Sequence, residues 1–184
     1  MKLYVISDTH GKTAKAKKIF GRLTDVDLLI HLGDYKKDAL CLEKELSADT
    51  IYVEGNMDGA MTASSTSRIL ETEYGKILLT HGHLEGVKYG YDGLIRRCME
   101  EGCKAVLFGH THEPVFTERE GIYLINPGSL TLPRDGSGGS YAVVYTSPEE
   151  LRGSIVYYGD RNDPAGNRSR GGRLKNIFNY SDRF

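Results

Sequence analysis

Eight short runs rich in Leu and β-branched residues punctuate the chain, and five of them stop at the same kind of residue. "KLYVIS" is followed by Asp8-Thr9-His10, "DLLIHL" by Gly33-Asp34, "TIYVE" by Gly55-Asn56, "KILLT" by His81-Gly82-His83, and "KAVLF" by Gly109-His110-Thr111-His112. The other three are "IYLINP", "YAVVYT" and "GSIVYY". Short runs of this kind bounded by Gly, Asp, Asn or Pro read as strands, and those apolar at consecutive positions predict strands buried on both faces. Apolar residues at helical spacing predict helices over 13–23, 36–47 and 92–103. Strand and helix alternate through the first two-thirds, and strand follows strand after that. This order predicts an α/β fold with βαβ crossovers first, an antiparallel meander later, and sheets covered by helices.

In open α/β sheets the strand ends of one rim converge on the binding crevice, so five separated segments would deliver their side chains to one place. The residues in question are Asp8, His10, Asp34, Asn56, His81, His83, His110 and His112. Carboxylate, carboxamide and imidazole together suit a mixed oxygen and nitrogen metal site, and the lack of thiolates among them argues against a structural zinc. Eight donors exceed what one such ion takes, whereas two ions sharing a carboxylate would use them and keep positions open for water and substrate. Gly33, Gly55 and Gly109, just before several of these donors, let the backbone turn sharply and approach closely. A single histidine or asparagine at a strand end is usually a turn residue satisfied by backbone. Here all six histidines of the chain lie at or beside these strand ends, a clustering that favours ligands.

Taken in order, "SDTHG", "HLGDY", "EGNMDG", "LTHGH" and "FGHTHEP" resemble the five motifs of the calcineurin-like metallophosphoesterases, over residues 1 to about 135. The segment "INPGSLTLPR" (125–134) is similar to the small YfcE-like phosphodiesterase branch. The resemblance implies a four-layer α/β/β/α sandwich of two mixed sheets flanked by helices. It further implies a dinuclear centre in which Asp8, His10 and His112 hold one ion, Asn56, His81 and His110 hold the other, and Asp34 bridges them. Manganese is frequent in such relatives, and nickel, iron, cobalt, zinc or magnesium also fit the donors. The reaction implied is phosphoester hydrolysis by a hydroxide held between the two ions and attacking phosphorus directly, without a Ser or Cys nucleophile.

One departure bears on substrate. Many members of the wider superfamily have a histidine after the Asn of the "GN" motif, thought to help the departing oxygen, and here the position is Met57. A thioether cannot donate a proton, and the resembling branch, which also lacks that histidine, is associated with phosphodiesters. Small phosphodiesters are therefore the expected substrates. Asp34 and Asn56 are expected to serve catalysis as well as metal binding. His83 could contact phosphate or supply a proton, and a hydrogen bond to a ligand or to backbone is the equal alternative. Thr9, Asn56, Thr111 and Arg134 are the expected substrate contacts. His31, inside a strand, reads as a satisfied core histidine. Asp58 reads as a brace for the metal loop or a turn cap, and Asn126 and Ser129 as turn residues of "NPGS".

The 184 residues suit one domain, and 24 Lys plus Arg against 25 Asp plus Glu leave no global attraction for nucleic acid or acidic membrane. The expected organisation is a metallophosphoesterase domain over 1–160 and a basic, Gly/Arg-rich extension over 161–184. Cys41, Cys98 and Cys103 form neither a disulfide framework nor a CxxC pattern. No window approaches the roughly 20 apolar residues of a membrane span, so no membrane partner is expected and the cytoplasm is the expected location. The resemblance implies a homo-oligomer, dimer or tetramer. Two other readings remain: a non-catalytic protein-binding scaffold of the retromer-component type, and a nuclease-like phosphodiesterase.

Overall fold

The computed structural model describes residues 1–23, 26–46, 48–59 and 62–159, and the basic extension expected over 161–184 lies outside them. Its elements in order are β1 (Lys2–Ile6), α1 (Ala14–Phe20), β2 (Leu28–His31), α2 (Lys36–Leu46), β3 (Thr50–Tyr52), α3 (Ala63–Thr66), β4 (Ser67–Thr72), β5 (Gly75–Thr80), α4 (Asp92–Glu100), β6 (Ala105–Leu107), β7 (Pro114–Arg119), β8 (Ile122–Pro127), β9 (Ser140–Thr146) and β10 (Leu151–Tyr157). One sheet has the order β10-β9-β1-β2-β3, the other β4-β5-β6-β8-β7. Each is mixed. β1, β2 and β3 run parallel, as do β5, β6 and β8, while β9, β10, β4 and β7 pair antiparallel with their neighbours.

The doubly apolar strands explain the layering. Leu3 and Val5 of β1, Leu28 and Ile30 of β2, Ile77 and Leu79 of β5, and Ala105 and Leu107 of β6 meet in one core between the two sheets. The alternate residues face outward: Tyr4, Ile6 and Leu29 pack against Ile19 and Phe20 of α1 and Leu42 of α2. On the other sheet Leu78, Val106 and Leu124 pack against Leu94, Ile95 and Cys98 of α4. A period of two along each strand thus feeds two cores at once, and the result is the α/β/β/α sandwich.

Two expectations need amendment. The late strands do not form one meander: β7 and β8 make a hairpin in one sheet, β9 and β10 a hairpin in the other. β9 pairs with β1 because the chain crosses between layers after β8. The strands β4 and β7 are additional. Both are sheet edges, half-exposed and charged, so they lack the apolar run that marks the central strands. The helices stop short of their expected ends, α1 at Gly21 and α4 at Glu101 before Gly102, and Ser47, the expected end of α2, is outside the described residues.

Candidate metal centre

The loops after β1, β2, β5 and β6, with the segment after β3, meet at one rim. Asp8 N–H donates to the Gly33 carbonyl at 3.1 Å, Gly109 N–H to the His81 carbonyl at 3.2 Å, and His110 N–H to Asp8 Oδ2 at 3.0 Å. These cross-links bring ligand candidates from the whole length of the domain into contact.

The backbone is forced to do this. Of the seven described non-glycine residues with positive φ, five are Asp8 (55°), His10 (48°), Asp34 (55°), His110 (70°) and His112 (61°). L-residues avoid that region, at a cost of about 1–3 kcal/mol each, and such strain persists where surrounding structure imposes it. Glycine serves where no side chain fits at all. A Cβ on Gly55 would lie 2.2 Å from Asp34 Oδ1, and one on Gly33 (φ 95°) would lie 2.5 Å from His81 Nδ1.

Asp8, His10, Asp34 and His112 each offer a ligand atom within 4.8 Å of the others, a group that could hold a metal ion. His10 Nε2 is 3.2 Å from His112 Nε2 and 3.6 Å from Asp34 Oδ2, and His112 Nε2 is 3.3 Å from Asp8 Oδ1. Beside this group, His81 Nε2 lies 3.4 Å from Asp34 Oδ1 and 3.1 Å from Asn56 Oδ1, and the His110 ring centre is 5.0 Å from that of His81. Asp34 therefore turns one carboxylate oxygen toward each set of donors.

The tautomers follow from the outer ring nitrogens. His112 Nδ1 donates to the Leu132 carbonyl at 2.8 Å and His81 Nδ1 to the Leu32 carbonyl at 2.7 Å, since a carbonyl can only accept. In each neutral ring Nε2 then carries a lone pair aimed at other acceptors. Asp8 Oδ1 is buried and has no hydrogen-bond partner. Lone pairs converging in this way repel one another unless a cation stands among them, and the donor set fits a divalent ion.

Charge state agrees at Asp8 and His110. Burial works to raise the Asp8 pKa, but the imidazoles of His112 and His81 outweigh it and hold the carboxyl below its usual range. Burial, then the neighbouring His81 and Lys88, pushes His110 down to about 4, leaving a neutral ring with a free lone pair. His112 differs: burial opposes its protonation, yet the Asp8 carboxylate prevails and raises its pKa, so without a cation Nε2 tends to hold a proton toward Asp8 Oδ1, and an ion bound there would take that proton's place. Asp8, Asp34, His81 and His112 are buried, His10, His83 and His110 half-buried, and Asn56 exposed, so the rim opens to solvent on one side. Two surface concavities elsewhere, of about 280 and 260 Å3, include none of these residues.

Several expected contacts have other partners. Thr9 is fully buried, its hydroxyl donating to Asp38 Oδ2 at 2.6 Å and standing 2.9 Å from His31 Nε2. This hydroxyl is turned into the fold and cannot serve the substrate contact expected of it. Thr111 Oγ1 accepts from Asn126 Nδ2 at 3.1 Å and from Glu113 N–H at 3.3 Å. Arg134 is exposed, and its N–H donates to the His112 carbonyl at 3.2 Å. His83 sits 5.2 Å from the His81 ring and 5.9 Å from the His110 ring. His31 is wholly buried, and burial foremost pushes its pKa down to about 4. Asp58 accepts from Lys36 N–H and Gly55 N–H, at 2.8 and 3.0 Å, and so braces the Asn56 loop. Asn126 donates to the Gly109 carbonyl at 2.9 Å, and Ser129 to the Asp8 carbonyl at 2.8 Å.

Sequence reasoning passed over Asp38, whose Oδ2 also accepts from Gly11 N–H at 2.8 Å and clamps the Asp8–Gly11 loop. An acidic residue in the first turn of a helix, as here in α2, is too ordinary to stand out. Tyr35, edge-on to His10 at 5.4 Å between ring centres, was passed over as well.

A family described as "Calcineurin-like phosphoesterase superfamily domain" matches residues 1–149. A probable metallophosphoesterase of Bacillus subtilis, YsnB, is 35% identical over 170 residues, covering 91% of this chain and 94% of that protein. The phosphodiesterase YfcE of Escherichia coli K12 is 29% identical, covering 78% of this chain and 87% of that protein. The crystal structure of Chaetomium thermophilum Vps29 superposes with a TM-score of 0.72 over 89% of this chain and 90% of that one, at 18% identity, a likeness of fold alone.

Proposed function

The chain belongs to the calcineurin-like phosphoesterase superfamily, and on that footing we propose that it is a dinuclear, metal-dependent hydrolase of small phosphodiesters. The observation that carries the reading is Asp34, whose two carboxylate oxygens lie 3.6 Å from His10 Nε2 and 3.4 Å from His81 Nε2. Asp8, His10 and His112 would complete one ion's shell with Asp34, and Asn56, His81 and His110 the other's. Two divalent ions in such a site supply an acidified water, a grip on a phosphoryl oxygen and positive charge against the displacement's growing negative charge.

The chain's own residues set the conditions for that chemistry. The carbonyls of Leu32 and Leu132 hold His81 and His112 in the tautomer that leaves Nε2 available. Asn56, exposed at the mouth, can meet phosphate as well as metal. Met57 offers no proton to a departing oxygen, which supports diesters, above all those with a stable leaving group, over monoesters. His83 is the remaining imidazole near enough to serve the leaving group or to orient phosphate. Arg134 adds a positive charge beside His112. An ion-free scaffold has no use for four donors within 4.8 Å of one another, so that reading draws no support from the site.

The test is a substrate panel on protein stripped by chelator and reloaded with manganese, zinc, iron, nickel, cobalt or magnesium. Bis-aryl phosphate should be cleaved in preference to aryl monophosphate, with cyclic nucleotides and oligonucleotides in the same panel. A preference for monoester refutes the diester assignment, failure to take up any ion refutes the metal mechanism, and cleavage of oligonucleotides alone turns the reading toward a nuclease.

A further inference from the structure

Nine large apolar side chains are exposed among the described residues, and three of them border the candidate centre. Met57, 55% exposed, follows Asn56, and its N–H donates to Asp34 Oδ1 at 2.9 Å. Leu84, 46% exposed, follows His83, itself in ring contact with His81 and His110. Leu132, 43% exposed, gives its carbonyl to His112 Nδ1. Of the others, Tyr89 lies farther along the loop that carries Leu84, while Leu40 on α2, Ile69 on β4, Met99 on α4, Tyr145 on β9 and the N-terminal Met1 sit singly, where an exposed apolar residue needs no explanation. The three at the centre come from three loops far apart in sequence, so their shared position is a product of the fold. Exposed apolar side chains that border a polar site suit the binding of an apolar group.

What would bind there is constrained by what the loops offer. A sugar or a second phosphate would call for a dense set of hydrogen-bond donors, whereas these positions present a thioether and two isobutyl groups. Two cations near the centre, Lys88 and Arg134, are exposed on two of the same loops and can meet an anionic phosphate. We infer that Met57, Leu84 and Leu132 form the seat for an apolar ester arm of the substrate, so that one substituent on phosphorus departs while the other, aryl or alkyl, lies against these side chains. This rests on the phosphodiesterase reading above.

The seat can be tested by binding and by turnover. The chain has four methionines, so methyl-labelled methionine gives few NMR signals, and the loss of one in Met57→Leu assigns Met57. Dibenzyl phosphate added to zinc-loaded protein should shift the Met57 methyl signal and leave Met99 unmoved, while dimethyl phosphate should shift neither. In turnover, benzyl p-nitrophenyl phosphate and methyl p-nitrophenyl phosphate expel the same phenolate and differ only in the retained arm. The benzyl ester should have a kcat/KM at least about tenfold higher, mostly through KM, and the ratio should fall toward one in the Met57→Ser, Leu132→Ser double variant. An unmoved Met57 signal with a ratio near one, both esters being cleaved, overturns the seat and leaves the phosphodiesterase reading standing. Cleavage of neither ester overturns both. A dimer that the double variant turns into monomer, with the ester ratio unchanged, would assign the rim to a second copy of the chain and also overturn the seat.

Discussion

His10 and His112, a hundred and two residues apart, face each other with their Nε2 atoms 3.2 Å apart. Since the His112 Nδ1 proton is committed to Leu132, its inner nitrogen has nothing to donate when the ring is neutral. A His10 that keeps its proton on Nδ1 would meet it lone pair to lone pair, and a cation between the rings favours that tautomer and removes the repulsion, so ion binding should be coupled to stability. Titration of chelator-treated protein should give two ions per chain by calorimetry. Each ion at a hundredfold excess over its Kd should add about 2.7 kcal/mol, or about 5–10 °C in Tm. Asp34→Asn, which keeps the shape and removes the shared charge, should reduce the stoichiometry to one or fewer. A variant that still takes two ions at wild-type affinity contradicts the bridge.

On the proposed reading, Met57, exposed next to Asn56, holds the position from which a proton donor would assist a poor leaving group. Met57→His should therefore raise the monoester to diester ratio of kcat, by about tenfold or more given the usual worth of general acid catalysis. The gain should be largest for alkyl phosphates, whose leaving groups most need the proton, and small for p-nitrophenyl phosphate. Equal gains on both leaving groups would assign the effect to binding and count against the missing-acid explanation.

Asp38 holds the first ligand loop without touching a candidate ligand side chain. Its Oδ2 accepts from Thr9 Oγ1 and Gly11 N–H, and Ser129 and Thr131 secure the same loop by donating to the carbonyls of Asp8 and Thr9, at 2.8 and 3.0 Å. Asp38→Ala should weaken ion affinity by about 10–100-fold, the usual effect of removing a group that orients a ligand. The accompanying stability loss should be about 1–3 kcal/mol from the donors left unsatisfied. Ion titration at a temperature where the variant is fully folded separates the two effects. An unchanged affinity would restrict Asp38 to stability.

The candidate ligand loops were legible in the sequence because residue types that are ordinary singly at a strand end recur there five times, with all six histidines of the chain at or beside them. The central strands were legible for the same reason that they build two cores: Leu3 and Tyr4, or Ile77 and Leu78, are both apolar yet face opposite ways. Edge strands β4 and β7 were not, since a half-exposed strand with Arg68, Glu71, Glu118 and Arg119 carries no apolar run. Thr9 illustrates the limit within the site itself. Its position in "SDTHG" suggested substrate, but whether that hydroxyl faces the rim or the fold depends on where α2 sets Asp38, which is a matter of packing rather than of local pattern. The left-handed backbone at Asp8, His10, Asp34, His110 and His112 was equally hidden, because those residue types do not require it.

His31 provides a pH signature independent of any ion. Thr9 gives its hydroxyl proton to Asp38, so His31 Nε2 must donate to Thr9 Oγ1, and Nδ1 is left bare and buried with no hydrogen-bond partner. Protonating that nitrogen puts a charge in the core, and burial accordingly pushes the folded-state pKa from 6.5 down to about 4. The unfolded chain binds the proton first as pH falls. The stability this ring contributes is complete above pH 6.5, declines through the interval down to about pH 4, and is gone below it, a total of about 3 kcal/mol. Urea unfolding of chelator-treated protein between pH 8 and 4 measures the decline. Other carboxylates and imidazoles titrate in the same range, so the informative quantity is the difference from His31→Gln, whose amide can still donate to Thr9 but cannot ionise. That difference should shrink by about 3 kcal/mol as pH falls from 7 to 4, and a pH-independent difference would mean that His31 is not held neutral by its burial.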